Sequence, residues 1–234
     1  MVSELGLLDG ITATGIILSA TFFGFLSLYK SVKLKAKLLS IAAITMFFVG
    51  FLWLGPTVDF FMVLITDSNL ASSYVYTVLS YTWVAPALVV AMYLGSSLMA
   101  PKRKWIVVGI FIGLGIVFEY FLWFQNDASF KDLAMPILGS GDLIDARFET
   151  GYYTFFLIAI FLLASLILLG IGFFIKAKQA TGELRKKFIY LGVGFTIFVV
   201  CGALDSILTI PVAIGVVRVV MMTFALWMYL GLKT

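Results

Sequence analysis

The sequence contains no histidine, a single cysteine and few charged side chains. Without histidine it lacks the most common metal ligand, the usual haem ligand and the most common general base, which excludes intramembrane zinc hydrolases and histidine-relay chemistry. Cys201 by itself forms neither an intrachain disulfide nor a thiolate cluster. No nucleophile, metal or cofactor motif is recognisable either, so we predict a protein that is not an enzyme and has no cofactor.

Charge is scarce as well. Charged residues make up 12% of the 234 residues, whereas 62% are hydrophobic and the mean hydropathy is +1.12. A soluble domain carries about twice that share of charge, and this chain has too little polar surface to coat a globule in water. A soluble protein is therefore excluded and the lipid bilayer is the expected partner. The basic clusters indicate contact with anionic headgroups, and we expect no nucleic-acid partner.

Seven apolar runs are long enough to cross about 30 Å of hydrocarbon as helices. They cover residues 7–29, 38–65, 74–99, 105–125, 152–175, 188–209 and 212–231. A transmembrane barrel would alternate apolar and polar residues, whereas these runs are apolar at both parities. We predict an all-α, polytopic membrane protein: one seven-helix transmembrane bundle spanning residues 1–234.

The charges of the connections predict the orientation. The connections after the first, third and fifth runs, together with Lys233, hold thirteen basic residues and one acidic residue, Glu183. The opposite side holds eight acidic residues, including Glu4 and Asp9 of the segment before the first helix, and two basic ones. Because basic loops stay in the cytoplasm, we expect the N-terminus outside and the C-terminus in the cytoplasm, with the protein in the cell membrane.

The longest connection, residues 126–151, is predicted to be an extracellular loop. Two interpretations stay open, a plain connector or a lid over a ligand site, because loops longer than about 15 residues are often functional. Its middle, residues 133–138, is expected either to lie on the membrane surface or to cap the bundle.

Four charged residues lie four or more positions inside the apolar runs: Asp59, Glu119, Asp205 and Arg218. A charge at this depth costs a few kcal/mol or more unless it is paired or hydrated. Counted from the helix ends, all four lie about 6 to 9 Å below the outer boundary. Arg218 neutralises one carboxylate, and Asp205 is its expected partner. The others are either part of a ligand or ion site or half-exposed groups that reach water by themselves.

Aromatic residues near this layer are candidate ligand contacts: Trp53, Trp83 and Tyr120. Interfacial aromatic belts explain much of this pattern. Pro56, just before Asp59, and Pro86 are predicted to kink their helices, and a broken helix beside a carboxylate is typical of membrane ligand sites. Gly109 and Gly113 have the spacing of a helix-pairing motif.

The stretch KAKQATGELRKKFIYLG at residues 176–192, leading to Gly194 and Asp205, resembles the junction between helices 5 and 6 in the seven-helix sensory region of some prokaryotic histidine kinases. The run FLWLGP at residues 51–56 is similar in character. The resemblance implies a membrane sensor module that perceives a signal from outside or from within the bilayer. The chain departs from that family because no kinase follows, so its output would need a separate cytoplasmic or membrane protein partner.

The residues therefore predict a stand-alone, receptor-like sensor with an outward-facing polar cavity for a small ligand. One alternative is a small transporter or channel of 3+1+3 plan, with Asp59 and Asp205 as matched cation or proton sites. Seven-helix sugar transporters of that plan have prolines in the first helix of each triplet, and the first and fifth runs here contain none. A second alternative is a structural subunit of a membrane complex. The sequence disfavours a retinal protein, because the seventh run has no lysine at its middle.

Overall fold

The computed structural model describes residues 2–131, 135–137 and 139–232, and it is mostly helical. Within these residues, seven helices are long and apolar enough to cross a membrane. They are α1 (Glu4–Leu34), α2 (Lys37–Thr66), α3 (Ser73–Met99), α4 (Pro101–Phe124), α5 (Tyr153–Gln179), α6 (Gly182–Ile207) and α7 (Pro211–Leu232). The predicted helical multi-pass membrane protein is confirmed. Asp132 to Ala134 and Leu138 of the long loop, and Lys233, lie outside the described residues.

Several helices extend beyond the predicted runs. The side chain of Ser3 accepts a hydrogen bond from the backbone N–H of Gly6 at 3.0 Å, so α1 begins at Glu4. It ends where Lys35 adopts a left-handed conformation with φ of 52°. Helices α5 and α6 likewise continue through the basic residues that separate their apolar parts. Hydropathy detects the part of a helix that suits hydrocarbon, and helical turns that protrude into water escape it.

Five of the seven helices change geometry along their length. Helix α2 consists of Lys37–Gly50, a 3₁₀ turn at Phe51–Trp53 and Leu54–Thr66, and α3 consists of Ser73–Tyr81 and Val84–Met99. Helix α4 has a 3₁₀ turn at Pro101–Arg103 followed by Lys104–Phe124, and α7 consists of Pro211–Met221 and Phe224–Leu232. Helix α5 consists of Tyr153–Ser165, a π-helical stretch at Leu166–Ile171 and Gly172–Gln179. The cause is most direct in α2 and α3, which contain internal prolines.

The interruptions of α2 and α3 lie where their prolines require them. Proline has no N–H, so the carbonyl four residues earlier loses its helical partner. For Pro56 that residue is Leu52, within the 3₁₀ turn, and for Pro86 it is Thr82, at the break between the two segments of α3. Both helices are thus interrupted in the turn that precedes the proline.

Consecutive helices pack against each other, and α1 also contacts α7, so the bundle closes into a ring. The interior contains fully buried side chains such as Met46, Met92, Phe118 and Phe173. The outward faces carry exposed apolar side chains such as Phe22, 60% exposed. An apolar exterior of this kind suits lipid rather than water.

The connection between α4 and α5 has structure of its own. A short helix, Asn126–Ser129, leads into β1 (Phe130–Lys131), which pairs antiparallel with β2 (Arg147–Phe148). The rings of Phe130 and Phe148 pack against Tyr81 of α3 with centroids 5.1 and 4.7 Å away. We call this end of the bundle the loop end. Here residues 142–148 pack against the helices.

Candidate functional site

An ion network joins three helices at the loop end. Pro211 begins α7, a position where its missing N–H costs nothing, and Arg218 lies two turns further on. Its Nε donates to Asp205 Oδ1 of α6 at 2.8 Å, and its Nη1 donates to Asp9 Oδ1 of α1. Arg218 itself is 9% exposed. We call Asp9, Asp205 and Arg218 the ionic triad; it contains the pair predicted between Asp205 and Arg218.

The sequence prediction missed the third member. It counted Asp9 with the segment before the first helix, whereas the structure places Asp9 within α1, which begins at Glu4. A signal was available, since residue 9 already falls inside the predicted run 7–29. Its position near the edge of the run made it look like an ordinary interfacial acid, and hydropathy does not report that the side chain faces Arg218.

A cavity of about 350 Å³ lies beside the triad. Six of the seven helices line it, all except α4, and residues 142–148 of the long loop form a further wall. The charged lining consists of Asp9, Asp142, Asp145, Arg147, Asp205 and Arg218. The aromatic lining consists of Trp53, Tyr76, Tyr81, Phe148 and Phe198. Of the two interpretations of the long loop, this geometry favours the lid.

Asp59 has a different surrounding from the one predicted. It is fully buried and accepts hydrogen bonds from the backbone N–H of Leu70 at 2.7 Å, from the N–H of Ile144 at 2.8 Å and from Asn69 Nδ2 at 3.0 Å. Asn69 also donates to the carbonyl of Asp142 at 2.9 Å. Asp59 does not line the cavity. Its carboxylate instead fastens the α2–α3 connection and residues 142–144 of the long loop to the end of α2.

Glu119 and Tyr120 lie apart from the triad, on α4. Glu119 accepts a hydrogen bond from Trp123 Nε1 of the same helix at 3.0 Å, and neither residue lines the cavity. Tyr120 is 51% exposed and packs against the ring of Phe124. Counting residues from a helix end gives depth but not direction, so the predicted common layer did not become a common site.

Only some of the predicted aromatic and proline candidates lie at the cavity. Trp53 and Pro56 line the cavity, because the break in α2 lies beside it. Trp83 packs instead on Phe51 with a centroid distance of 5.0 Å. Neither Trp83 nor Pro86 contributes to the cavity wall. The cavity thus combines Trp53, Pro56, Asp205 and Arg218 from the predicted set.

The cavity wall offers groups that could hold a small ligand. Among the residues described, no group of three or more histidine, cysteine, aspartate or glutamate side chains is arranged to hold a metal ion. The triad offers carboxylate acceptors and a guanidinium donor, and the remaining walls are largely apolar and aromatic, as in small-molecule pockets. No family model matches the chain, and no curated protein is significantly similar to it.

Proposed function

We propose that this protein is a receptor-like membrane sensor that binds a small ligand in the cavity beside the ionic triad. The observation that carries the proposal is the position of the triad. It forms part of the cavity wall and at the same time joins α1, α6 and α7. A ligand that contacts these charges changes the contacts that hold three helices together.

In this proposal the ionic triad is the part of the protein that can adopt two arrangements of its ion pairs. Arg218 is shared between two carboxylates, one on α1 and one on α6. A ligand that interacts with one of these carboxylates weakens its pairing with Arg218 and leaves α7 held mainly by the other. A ligand shifts such an equilibrium only through different affinities for the two arrangements. Movement of α7 relative to α1 would carry the signal along the bundle.

We further propose that the loop end faces the outside of the cell and that the basic α5–α6 junction faces the cytoplasm. The charge asymmetry of the connections supports this orientation through the positive-inside rule. The cytoplasmic partner would then be reached through the junction between Lys176 and Lys187, which is also the segment that resembles the histidine kinase sensory region.

The surroundings of Asp59 favour a sensor over the 3+1+3 transporter. That alternative uses Asp59 and Asp205 as equivalent sites for a proton or cation. Asp59, however, accepts three hydrogen bonds from two loops, whereas Asp205 pairs with Arg218 beside the cavity. A purely structural subunit is disfavoured too, because packing alone gives no reason for an open polar space at an ion network.

The variant Gly202→Leu, which fills the cavity, tests the proposal. A side chain added at Gly202 of α6 projects beside Leu162, where the nearest atom lies 3.9 Å from a Cβ, and both residues line the cavity. We expect at least one compound from a chemically diverse library to raise the midpoint of thermal unfolding of the wild type in lipid nanodiscs. Saturation at a hundred times Kd adds about 2.7 kcal/mol to the free energy of unfolding.

The matched control is Gly109→Leu. A Cβ at Gly109 of α4 has no neighbour within 4 Å, and α4 does not line the cavity. We expect Gly109→Leu to respond to the compound as the wild type does and Gly202→Leu not to respond. Equal stabilisation of the two variants would contradict binding in this cavity. A structure of protein extracted with its native lipids that shows the cavity closed around the triad would contradict the sensor proposal itself.

A further inference from the structure

The formal charges around the cavity do not balance. Four aspartates and two arginines line it. Arg147 pairs with Asp145 at 2.9 Å, at the exposed mouth. Within the partly buried triad a single guanidinium faces two carboxylates, which leaves a formal charge of −1. Such a charge at membrane depth is costly unless a cation or water balances it.

The triad also presents hydrogen-bond acceptors to the cavity. Asp9 and Asp205 each use Oδ1 toward Arg218, and neither Oδ2 has a hydrogen-bond partner within the described part of the chain. Arg218 Nη2 is the one remaining guanidinium nitrogen of the triad. Two carboxylate oxygens against one donor favour a ligand group that donates hydrogen bonds. An ammonium group supplies up to three N–H donors and one positive charge.

The walls next to the triad suit an apolar or aromatic body. Trp53 is 6% exposed, and Tyr81 packs with Phe130 and Phe148 in a ring cluster. The rings of Trp53 and Tyr81 offer large apolar surfaces to a ligand in the cavity. Leu162 continues the apolar surface on α5. A fully polar ion would leave these walls without contacts.

We infer that the cavity binds a small organic monocation, with its ammonium group against Asp9 and Asp205 and its apolar body against Trp53 and Tyr81. This inference rests on the proposed function and adds the chemical class of the ligand. One positive charge matches the formal −1 of the triad. The exposed carboxylates of Asp142 and Asp145 at the mouth raise the local concentration of cations.

Three probes of similar shape and different charge test the inference: 2-phenylethylammonium, 2-phenylethanol and 3-phenylpropanoate. Binding to the full chain in lipid nanodiscs is measured by titration calorimetry at neutral pH. We expect the cation to bind at least about tenfold more tightly than the alcohol, because a charge pair at close range is worth more than 1.4 kcal/mol in a partly buried site. The anion is expected to bind most weakly.

Two variants separate charge from shape. Asp205→Asn removes one carboxylate of the triad, and we expect it to weaken binding of the cation about tenfold or more while the alcohol is unaffected. Asp127→Asn is the matched control, because Asp127 is exposed and outside the cavity lining. If Asp205→Asn does not fold, Asp9→Asn serves instead, since the Asp9 side chain is 30% exposed.

The outcomes distinguish the inference from the proposed function. If the alcohol or the anion binds as tightly as the cation and Gly202→Leu abolishes that binding, the ligand class is wrong and the sensor cavity stands. If Asp205→Asn or Asp9→Asn binds the cation as well as the wild type does, the assigned contacts are wrong. If no probe binds, the inference is overturned, and only failure of the diverse library as well would overturn the proposed function.

Discussion

Three aspartates near the loop end have three different surroundings. Asp59 is enclosed by N–H donors, Asp205 pairs with a guanidinium beside a cavity, and Asp127 is exposed. An aspartate side chain thus fastens a loop at one position, contributes to an ion network at another and is simply exposed to solvent at the third. The hydrogen-bonding and charged partners of the carboxylate decide which role it has, because a buried carboxylate is tolerated only when its charge and its lone pairs are satisfied.

Asp59→Ala is expected to destabilise the protein by about 3 kcal/mol, because it leaves two backbone N–H groups and one amide in a buried place without an acceptor. The free energy of unfolding in detergent micelles measures the effect. Asp127→Ala is the control, with an expected change within about 0.5 kcal/mol. Equal stability of the two variants would mean that Asp59 does not hold the loops.

Arg218→Gln is expected to cost more stability than Asp9→Asn or Asp205→Asn, because it leaves two carboxylates facing each other without a cation. The expected loss is about 3 to 5 kcal/mol for the arginine variant. The triple variant Asp9→Asn, Asp205→Asn, Arg218→Gln should recover much of that loss. The free energies of unfolding of the wild type and the four variants form the test, and a triple variant less stable than Arg218→Gln alone would rule out charge as the cause.

The identity of the ion pair was predictable from the sequence, and its third member was not. Only one base, Arg218, falls within the predicted runs, so a nearby acid had to be its partner. Asp59 and Glu119 have the same predicted depth as Asp205, yet one binds loop amides and the other a tryptophan on its own helix. Depth follows from counting residues, whereas direction depends on how seven helices rotate against one another.

Helices α2 and α3 are in close contact at Gly55. A Cβ at this position would lie 2.6 Å from the backbone carbonyl oxygen of Tyr76, which has little freedom to move. The small residue therefore allows the two helices to pack just before Pro56, at the floor of the cavity. The helix breaks at Pro56 and Pro86 were predictable because proline acts locally, but this contact depends on both helices.

Gly55→Ala is expected to destabilise the bundle by about 2 kcal/mol through overpacking. Gly109→Ala is the matched control, because an added Cβ there meets no atom within 4 Å and alanine favours the helix by about 1 kcal/mol. Thermal unfolding of both variants in the same detergent checks the prediction. A lower midpoint for Gly109→Ala than for Gly55→Ala would contradict the packing seen between α2 and α3.

For the whole molecule, the number of helices followed from the sequence because the bilayer imposes their length and apolar character. The closing of the ring by α1 and α7 did not, since it depends on contacts between residues as far apart as Asp9 and Arg218. The long loop showed little periodicity, yet its hairpin packs Phe130 and Phe148 on Tyr81. Aromatic contacts of this kind leave no periodic pattern.

The proposed orientation predicts which cysteines are labelled on intact cells. In a Cys201→Ser background, Asp127→Cys at the loop end should react with a membrane-impermeant maleimide, because basic connections stay in the cytoplasm. Glu183→Cys in the α5–α6 junction should react only after permeabilisation. Both positions are exposed, so accessibility in the protein does not differ between them. The reverse pattern would place the loop end in the cytoplasm.

The hydrogen bonds of Asp59 set a time scale for the site. Because one carboxylate accepts hydrogen bonds from the amides of Leu70 and Ile144, we expect opening of residues 142–148 to be coupled to opening of the α2–α3 connection. These two amides lie outside the helices and should still exchange slowly with deuterium, with matching rates. In the proposed sensor, a ligand that passes residues 142–148 would move no faster than this shared opening, so a residue outside the cavity lining would limit how long a signal lasts.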